Sequence, residues 1–298
     1  MEQLSNIIKQ NKTMLRFYDA TFITKSRQNR KWIDDFISEL EKRKVRVPFD
    51  VFIRASSFDF DKKSDRELAK RLKKVGMIST YIGLESGNDE TLKLYNKKIV
   101  ANESEKAVAF LSSIGISGST NGTMTFHQDV KIKDIRESID FLLRLKLCSF
   151  WNCITRAETL PGILLETETF PRRNCWDVFN YEFKDKKISK LYKILSNINK
   201  QYKAIKIEDR LIRELRDRIK VELFYNETSI DFNIVSYKLE KDIVKLQTIT
   251  NHFIHSLINK IEKEETINNK FISDFINNFE EQLSNISHKY SWILSENY

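Results

Sequence analysis

Cysteine, proline and glycine are all scarce, at three, three and seven among 298 residues. So few cysteines exclude a disulfide-stapled scaffold, and so little glycine and proline excludes collagen-like and low-complexity chains. No apolar run approaches the roughly 20 residues that a membrane span requires. Met1-Glu2-Gln3 opens the sequence without the basic and apolar regions of a secretion signal. The sparse, odd cysteine count fits a reducing compartment, so a cytoplasmic location is expected. Gly-rich phosphate loops, Gly-x-Ser-x-Gly and His-Glu-x-x-His are also missing, which leaves kinase, hydrolase and zincin chemistry without support.

What is present is apolar and charged side chain, 41% and 31% of residues, enough for a sizeable core in one large or two ordinary domains. The net charge of +9 is unevenly placed. Residues 163–298 carry 22 basic against 21 acidic side chains, so the excess falls on residues 1–162. Its densest stretch is Lys62, Lys63, Arg66, Lys70, Arg71, Lys73 and Lys74, opposite Leu68, Leu72 and Val75 on a helix. No aromatic side chain interleaves it for base stacking, so it reads as a solvated face and nucleic-acid binding is not expected.

Every glycine lies between Gly76 and Gly162. Because glycine marks tight turns and close approaches and weakens helix interiors, the second half should be mainly long helices. In the first half, β-rich runs alternate with amphipathic helical patterns, the signature of βα units and a parallel sheet. The strand candidates are Leu15–Asp19, Val51–Arg54, Ile78–Gly83, Ser119–Thr125 and Phe150–Thr155. Helical patterns run through Trp32/Phe36/Leu40, Leu68/Leu72/Val75, Ala107/Phe110/Leu111 and Ile135/Ile139/Leu142/Leu143. Ser64 with Glu67 reads as a capping box for the second helix, and Gly76 as its stop. The expectation is an α/β chain. A partial, TIM-like (β/α) barrel over residues 1–165 would be followed by an all-α helical domain over 166–298. Three apolar stripes mark the latter: Leu191 to Ile219, Val235 to Ile261, and Ile272 to Ile286, with turns near Glu227–Ser229 and Lys263–Thr266.

Ligands of such barrels meet the C-terminal ends of the strands. That rule selects Asp19 and Thr21, Arg54 and Ser56, Glu85 and Ser86, then Thr125, His127 and Asp129, and finally Thr155, Arg156 and Glu158. Gly83 and Gly87 would let the backbone approach a ligand, with Glu85 accepting hydrogen bonds between them; a strand-end acid can equally cap the helix near Asn88. His252 and His255 share a metal-compatible spacing, but no third ligand stands within a turn, so packing roles are expected. His127 is a candidate for proton transfer, yet no set of nucleophile, base and orienter emerges and the catalytic residues stay unknown. Cys148 and Cys153 are expected to be small buried hydrophobes rather than metal ligands.

Phe17-Tyr18-Asp19-Ala20-Thr21-Phe22 resembles the second-strand segment of radical S-adenosylmethionine (radical SAM) enzymes, closest to the branch that often carries a cobalamin-binding domain. Phe52-Ile53-Arg54-Ala55 is similar to the next strand of that branch. Ile82-Gly83-Leu84-Glu85-Ser86-Gly87, followed by Thr91-Leu92 and Asn96-Lys97-Lys98-Ile99, resembles its most recognisable stretch. Pro161-Gly162 is similar to its terminal Pro-Gly-Thr turn, with Ile163 in third place. The likeness covers roughly residues 12–165.

The resemblance implies S-adenosylmethionine as cofactor, with Asp19 near its methionyl amino group, Glu85 at its polar groups, and Arg54, Thr21 and Ser86 in the same rim. It also implies a 4Fe-4S iron-sulfur cluster on a Cys-x3-Cys-x2-Cys loop, three thiolates holding three irons. That motif is absent, the cysteines being Cys148, Cys153 and Cys175. Ala20 and Ser56 stand where the family often has acids, and Gly-x-Pro is absent from Thr123–Asp129. Two readings follow. The chain is a fragment or split half of a radical enzyme, needing an N-terminal cluster-bearing or cobalamin-binding polypeptide, or it is a non-catalytic binding protein that retains the fold. An uncovered first-strand edge would itself invite a partner.

Overall fold

The computed structural model describes residues 14–120, 123–158, 181–226 and 230–295. Four parallel strands, β1 (Leu15–Phe17), β2 (Phe49–Arg54), β3 (Met77–Gly83) and β4 (Ser117–Ser119), form one sheet in that order. Helices α1 (Arg27–Lys42), α2 (Lys63–Val75), α3 (Asp89–Leu94), α4 (Ala101–Ser113) and α5 (Ile132–Arg144) return the chain between and after them. The second half adds α6 (Phe150–Ile154), α7 (Lys186–Gln201), α8 (Lys203–Tyr225), α9 (Ile230–Glu262), α10 (Asn269–Lys289) and α11 (Ser291–Ser295). The chain is thus α/β with a parallel sheet, followed by a helical region.

The pleat gives the sheet two unlike faces. Phe49, Val51, Ile53 and Ile82 point outward into an apolar core with Ile33, Ile37 and Leu40 of α1 and Leu68, Leu72 and Val75 of α2. Phe36 meets Phe17 and Phe49 edge-on at 6.1 Å. The opposite face carries Arg16, Asp50, Phe52, Ser79, Tyr81, Ser117 and Ser119. Helix α8 covers it. Arg16 pairs with Asp50 at 2.8 Å and reaches Asp217 of α8 at 3.4 Å, while Ile78 packs on Val221 and Phe224. Burial pushes the Asp217 carboxyl up to about 6. A cavity of about 30 Å³ remains between sheet and helix, lined by Ser79, Ser119, Asn152, Arg213 and Gln247 among others.

Gly76 ends α2 at φ 124°, where a side chain is strained, and a Cβ would lie 1.9 Å from the Val47 carbonyl oxygen. Other local expectations shift. The buried stripe of α1 is Ile33, Ile37 and Leu40, with Trp32 half exposed and stacked on Phe36. The Ser64–Glu67 capping box does not form. Helix α2 already begins at Lys63, where Asp65 accepts the Asp59 N–H at 2.7 Å and Arg30 at 3.1 Å, and Glu67 pairs with Lys70.

The segment expected as the fifth strand, Phe150–Thr155, is instead the short helix α6. Ser149 caps it by accepting the Asn152 N–H at 3.2 Å, and this local bond outweighs the β propensity of Phe150, Trp151, Ile154 and Thr155. Extended pairing persists only as the bridge Phe126–Arg156. Similarly, Ser119–Thr125 gives the end of β4 and a bridge between Glu85 and Thr123. The first long stripe breaks at Tyr202, in extended conformation between α7 and α8. The turn over Lys263–Thr266 is present, with Glu264 at φ 57°. Glu227–Ser229 and Pro161–Gly162 lie outside the described residues. Among the described residues no helix is long and apolar enough to cross a membrane.

Candidate functional site

The site is built at the C-terminal ends of β1, β2 and β3. Beyond Gly83 the chain turns at Glu85, which adopts φ 65°, and the Glu85 carbonyl accepts the Met124 N–H at 2.5 Å. The Glu85 carboxylate folds back over Gly83. A Cβ at Gly83 would lie 3.3 Å from Glu85 Oε1, so the missing side chain makes the room. Lys97 holds the same carboxylate at 2.8 Å, and both side chains are partly exposed. Glu85 does not cap the next helix; Asn88 does, accepting the Thr91 N–H at 2.8 Å.

Asp19 is exposed just past β1, beside Tyr18, which is 80% exposed. Thr21 sits in the adjoining turn and donates to the Ala20 carbonyl at 2.7 Å. Arg54 is exposed at the end of β2, and its N–H is held by Ser57 Oγ, which donates to the Ile23 carbonyl at 2.6 Å and so ties the end of β2 to the segment after β1. Asp19, Arg54 and Glu85 thus lie at or just past the C-terminal ends of three adjacent parallel strands. Behind the rim the aromatic rings step inward. Tyr18 lies 6.1 Å from Phe52, and Phe52 stacks on Tyr81 at 4.8 Å. Arg213 of α8 donates to the Tyr81 hydroxyl at 2.6 Å.

Other selected residues turn away from this rim. Ser86 is fully buried and its hydroxyl accepts the Asn88 N–H at 3.1 Å, which makes it a turn residue. Gly87 is small because Phe141 leaves no space for a Cβ, only 2.4 Å away, and not because a ligand approaches. Thr123, Thr125 and Thr155 place their hydroxyls 3.0, 3.2 and 2.9 Å from the Asn152 carbonyl of α6. His127 is buried with Nε2 3.2 Å from Thr91 Oγ1, and burial holds its imidazole down at about 4, hence neutral. Asp129 pairs with Lys184, and Arg156 lies over the rings of Tyr181 and Phe183. Glu158 is exposed at the end of its segment. His255 bonds Asp140 at 2.8 Å and Arg136 at 3.0 Å, a packing role.

Two parts of the rim escaped the sequence. Lys97 lies in the Asn96–Ile99 stretch but carried no assigned role, and Arg213 stands 132 residues from Tyr81 with no local signal to connect them.

Residues 2–142 match the model of the radical SAM superfamily. This match places residues 2–142, a little under half of the chain, in that superfamily. The fold of the chain also overlays solved structures of the cobalamin-dependent S-adenosylmethionine radical enzyme OxsB. With aqua-cobalamin bound, that enzyme aligns at a TM-score of 0.54 and 16% identity over 96% of this chain and 54% of the other. With aqua-cobalamin and S-adenosylmethionine bound, the values are 0.51 and 17% over 96% and 53%. A 4'-phospho-dehydrooxetanocin synthase of Priestia megaterium is 31% identical over 119 residues, 38% of this chain and 16% of that protein. The chain therefore spans about half the length of the OxsB chains and a smaller share of the synthase.

The radical SAM match over residues 2–142 implies S-adenosylmethionine and a four-iron cluster. For the former, the rim offers an acid at Asp19, an acid at Glu85 and a guanidinium at Arg54, a donor and acceptor set that suits an ammonium, hydroxyls and a carboxylate. The latter does not fit the described donors. Cys148 and Cys153 are fully buried with their sulfurs 3.3 Å apart, and burial together with Cys148 pushes the Cys153 thiol well up, away from the thiolate that iron needs. Cys175 lies outside the described residues. Among those described, no cluster of three or more His, Cys, Asp or Glu side chains is arranged for a metal.

Proposed function

We propose that the rim of Asp19, Thr21, Arg54 and Glu85, with Ser86 buried in the turn behind it, binds S-adenosylmethionine, and that this chain is one part of a radical enzyme that cannot generate the radical by itself. Asp19 receives the methionyl ammonium, Glu85 accepts from hydroxyls, Arg54 faces the carboxylate, and Thr21 and Ser86 shape the turns that present them. Bound there, the cofactor supplies a sulfonium open to reductive cleavage. The three thiolates that cleavage requires come from another polypeptide segment, upstream in a longer protein or on a separate cluster-bearing or cobalamin-binding chain. A cytoplasmic setting and a division near residue 165 belong to the same reading. The observation that carries it is Glu85, turned over Gly83 at positive φ and held by Lys97 at the mouth.

Calorimetric titration of the purified chain with S-adenosylmethionine tests the reading. Saturable binding that weakens at least about tenfold in Glu85→Gln and Asp19→Asn is expected, each change removing a charge-assisted hydrogen bond. Iron and acid-labile sulfide should stay substoichiometric after anaerobic reconstitution of the chain alone. A full four-iron complement would overturn the claim of incompetence. Absence of cofactor binding would leave the second reading, a non-catalytic protein that keeps the fold to hold a partner, which the buried thiol pair favours.

A further inference from the structure

Cys148 and Cys153 take no part in the site above, yet they form a closely approached thiol pair. Cys148 precedes the cap Ser149, and the first turn of α6 brings Cys153 back over it, with the Cys153 N–H donating to the Ser149 carbonyl at 3.1 Å. The two Sγ atoms are 3.3 Å apart and both residues are fully buried. A disulfide is about 2.05 Å long, so closure needs a movement of only about 1.3 Å.

We propose that Cys148 and Cys153 are a redox modification site, two thiols that close reversibly into an intrachain disulfide with a small peroxide as oxidant. One sulfur, as thiolate, attacks a peroxide oxygen; the O–O bond breaks, giving a sulfenic acid and hydroxide. The second sulfur gives up its proton and attacks the sulfenic sulfur, forming the S–S bond and expelling the oxygen as water. In total two thiols lose two electrons and two protons, and the peroxide is reduced to two waters. Burial selects the oxidant, since a protein disulfide cannot reach either sulfur whereas hydrogen peroxide is nearly as small as water. It also sets the pace. The Cys153 thiol is pushed up by burial, by Cys148 and by the nearby Glu208 carboxyl, so closure accelerates with rising pH.

The bond would pin α6 to the loop before it. Asn152, between the two cysteines in that helix, offers the carbonyl around which Thr123, Thr125 and Thr155 gather, and Thr123 bridges to Glu85. The inference does not depend on cofactor binding at the rim.

Trypsin provides a direct test, because cleavage after Lys146 and Arg156 leaves both cysteines in peptide Leu147–Arg156 and puts Cys175 in another. The full chain is reduced, exposed to hydrogen peroxide at pH 8, unfolded, alkylated and digested. The expected peptide is lighter than the free dithiol by two hydrogen atoms and takes no alkyl group. Dithiothreitol before alkylation restores two alkyl groups, and Cys148→Ser abolishes the hydrogen loss. The inference is overturned if the oxidised wild type takes two alkyl groups, if oxygen accumulates on either cysteine, or if the link runs to Cys175. Stoichiometric iron bound by the reduced chain and lost in Cys148→Ser would overturn it as well.

Discussion

Arg213, in the helical half, donates a 2.6 Å hydrogen bond to the hydroxyl of Tyr81 on β3, joining residues 132 positions apart. Tyr81 stacks on Phe52, and Phe52 lies against Tyr18 at the rim. The bond therefore fixes the inner end of the aromatic ladder from outside the sheet. Arg213→Met is expected to cost about 1–2 kcal/mol in urea unfolding, the range for a hydrogen bond with a charged donor. Tyr81→Phe should cost about as much alone and little more when combined with Arg213→Met, because the pair acts as one unit.

Glu208 gives stability a pH dependence of known sign. It is fully buried and accepts the Phe150 N–H at 2.8 Å, and burial pushes its carboxyl up to about 8 from an ordinary 4.5. The folded state thus binds a proton that the unfolded state releases near pH 4.5. This stability is complete below that pH and is lost as pH rises through 8. His127 has the opposite sign, held at about 4, but its contribution is complete above pH 6.5. Between pH 6.5 and 8 the Glu208 slope stands out and approaches about 1.4 kcal/mol per pH unit. Glu208→Gln should flatten it, as followed by thermal melts across that range.

Gly76 and Gly115 both have positive φ, yet they should respond differently to alanine. At Gly76 the Cβ meets the Val47 carbonyl oxygen at 1.9 Å, while at Gly115 the nearest atoms are the flexible end of Lys73 at 3.6 Å. Gly76→Ala is expected to cost about 3 kcal/mol or more and Gly115→Ala about 1–2 kcal/mol, strain alone in the second case. Denaturant midpoints with an unchanged slope would confirm that ranking.

Gly83→Ala probes the rim more gently. Its Cβ would press on Glu85 Oε1 at 3.3 Å, close enough to displace the carboxylate without disturbing the sheet. Affinity for S-adenosylmethionine should fall a few-fold to about tenfold while the melting temperature changes by no more than about 3 °C.

Much of the sheet could be read from residue types, because strand ends, apolar alternation and the Gly76 stop are local signals. Asp19, Arg54 and Glu85 followed from one topological rule about strand ends. What that rule could not supply was direction. Ser86 and Gly87 lie beside Glu85 in sequence, yet one serves a buried turn and the other makes way for Phe141. The helix α6 was hidden for a related reason. Its aromatic and β-branched residues favour a strand, and the Ser149 cap on Asn152 together with the Phe150 N–H bonded to Glu208 tips the segment the other way. Arg213 and Lys97 acquire their meaning from partners brought close by folding, which no spacing along the chain reveals.

The seam between the sheet and α8 is keyed by polar contacts: Arg16, itself paired with Asp50 of the neighbouring strand, reaches Asp217 of α8, and Arg213 of α8 donates to Tyr81. A seam of oil would tolerate a helix sliding by one turn, since one leucine serves nearly as well as the next. Here a shift of one turn would break the part-buried Arg16–Asp217 contact and the Arg213–Tyr81 hydrogen bond together. Docking of α8 therefore favours the register that meets both Arg16 and Tyr81, so the helical half reads the strand alignment of the sheet.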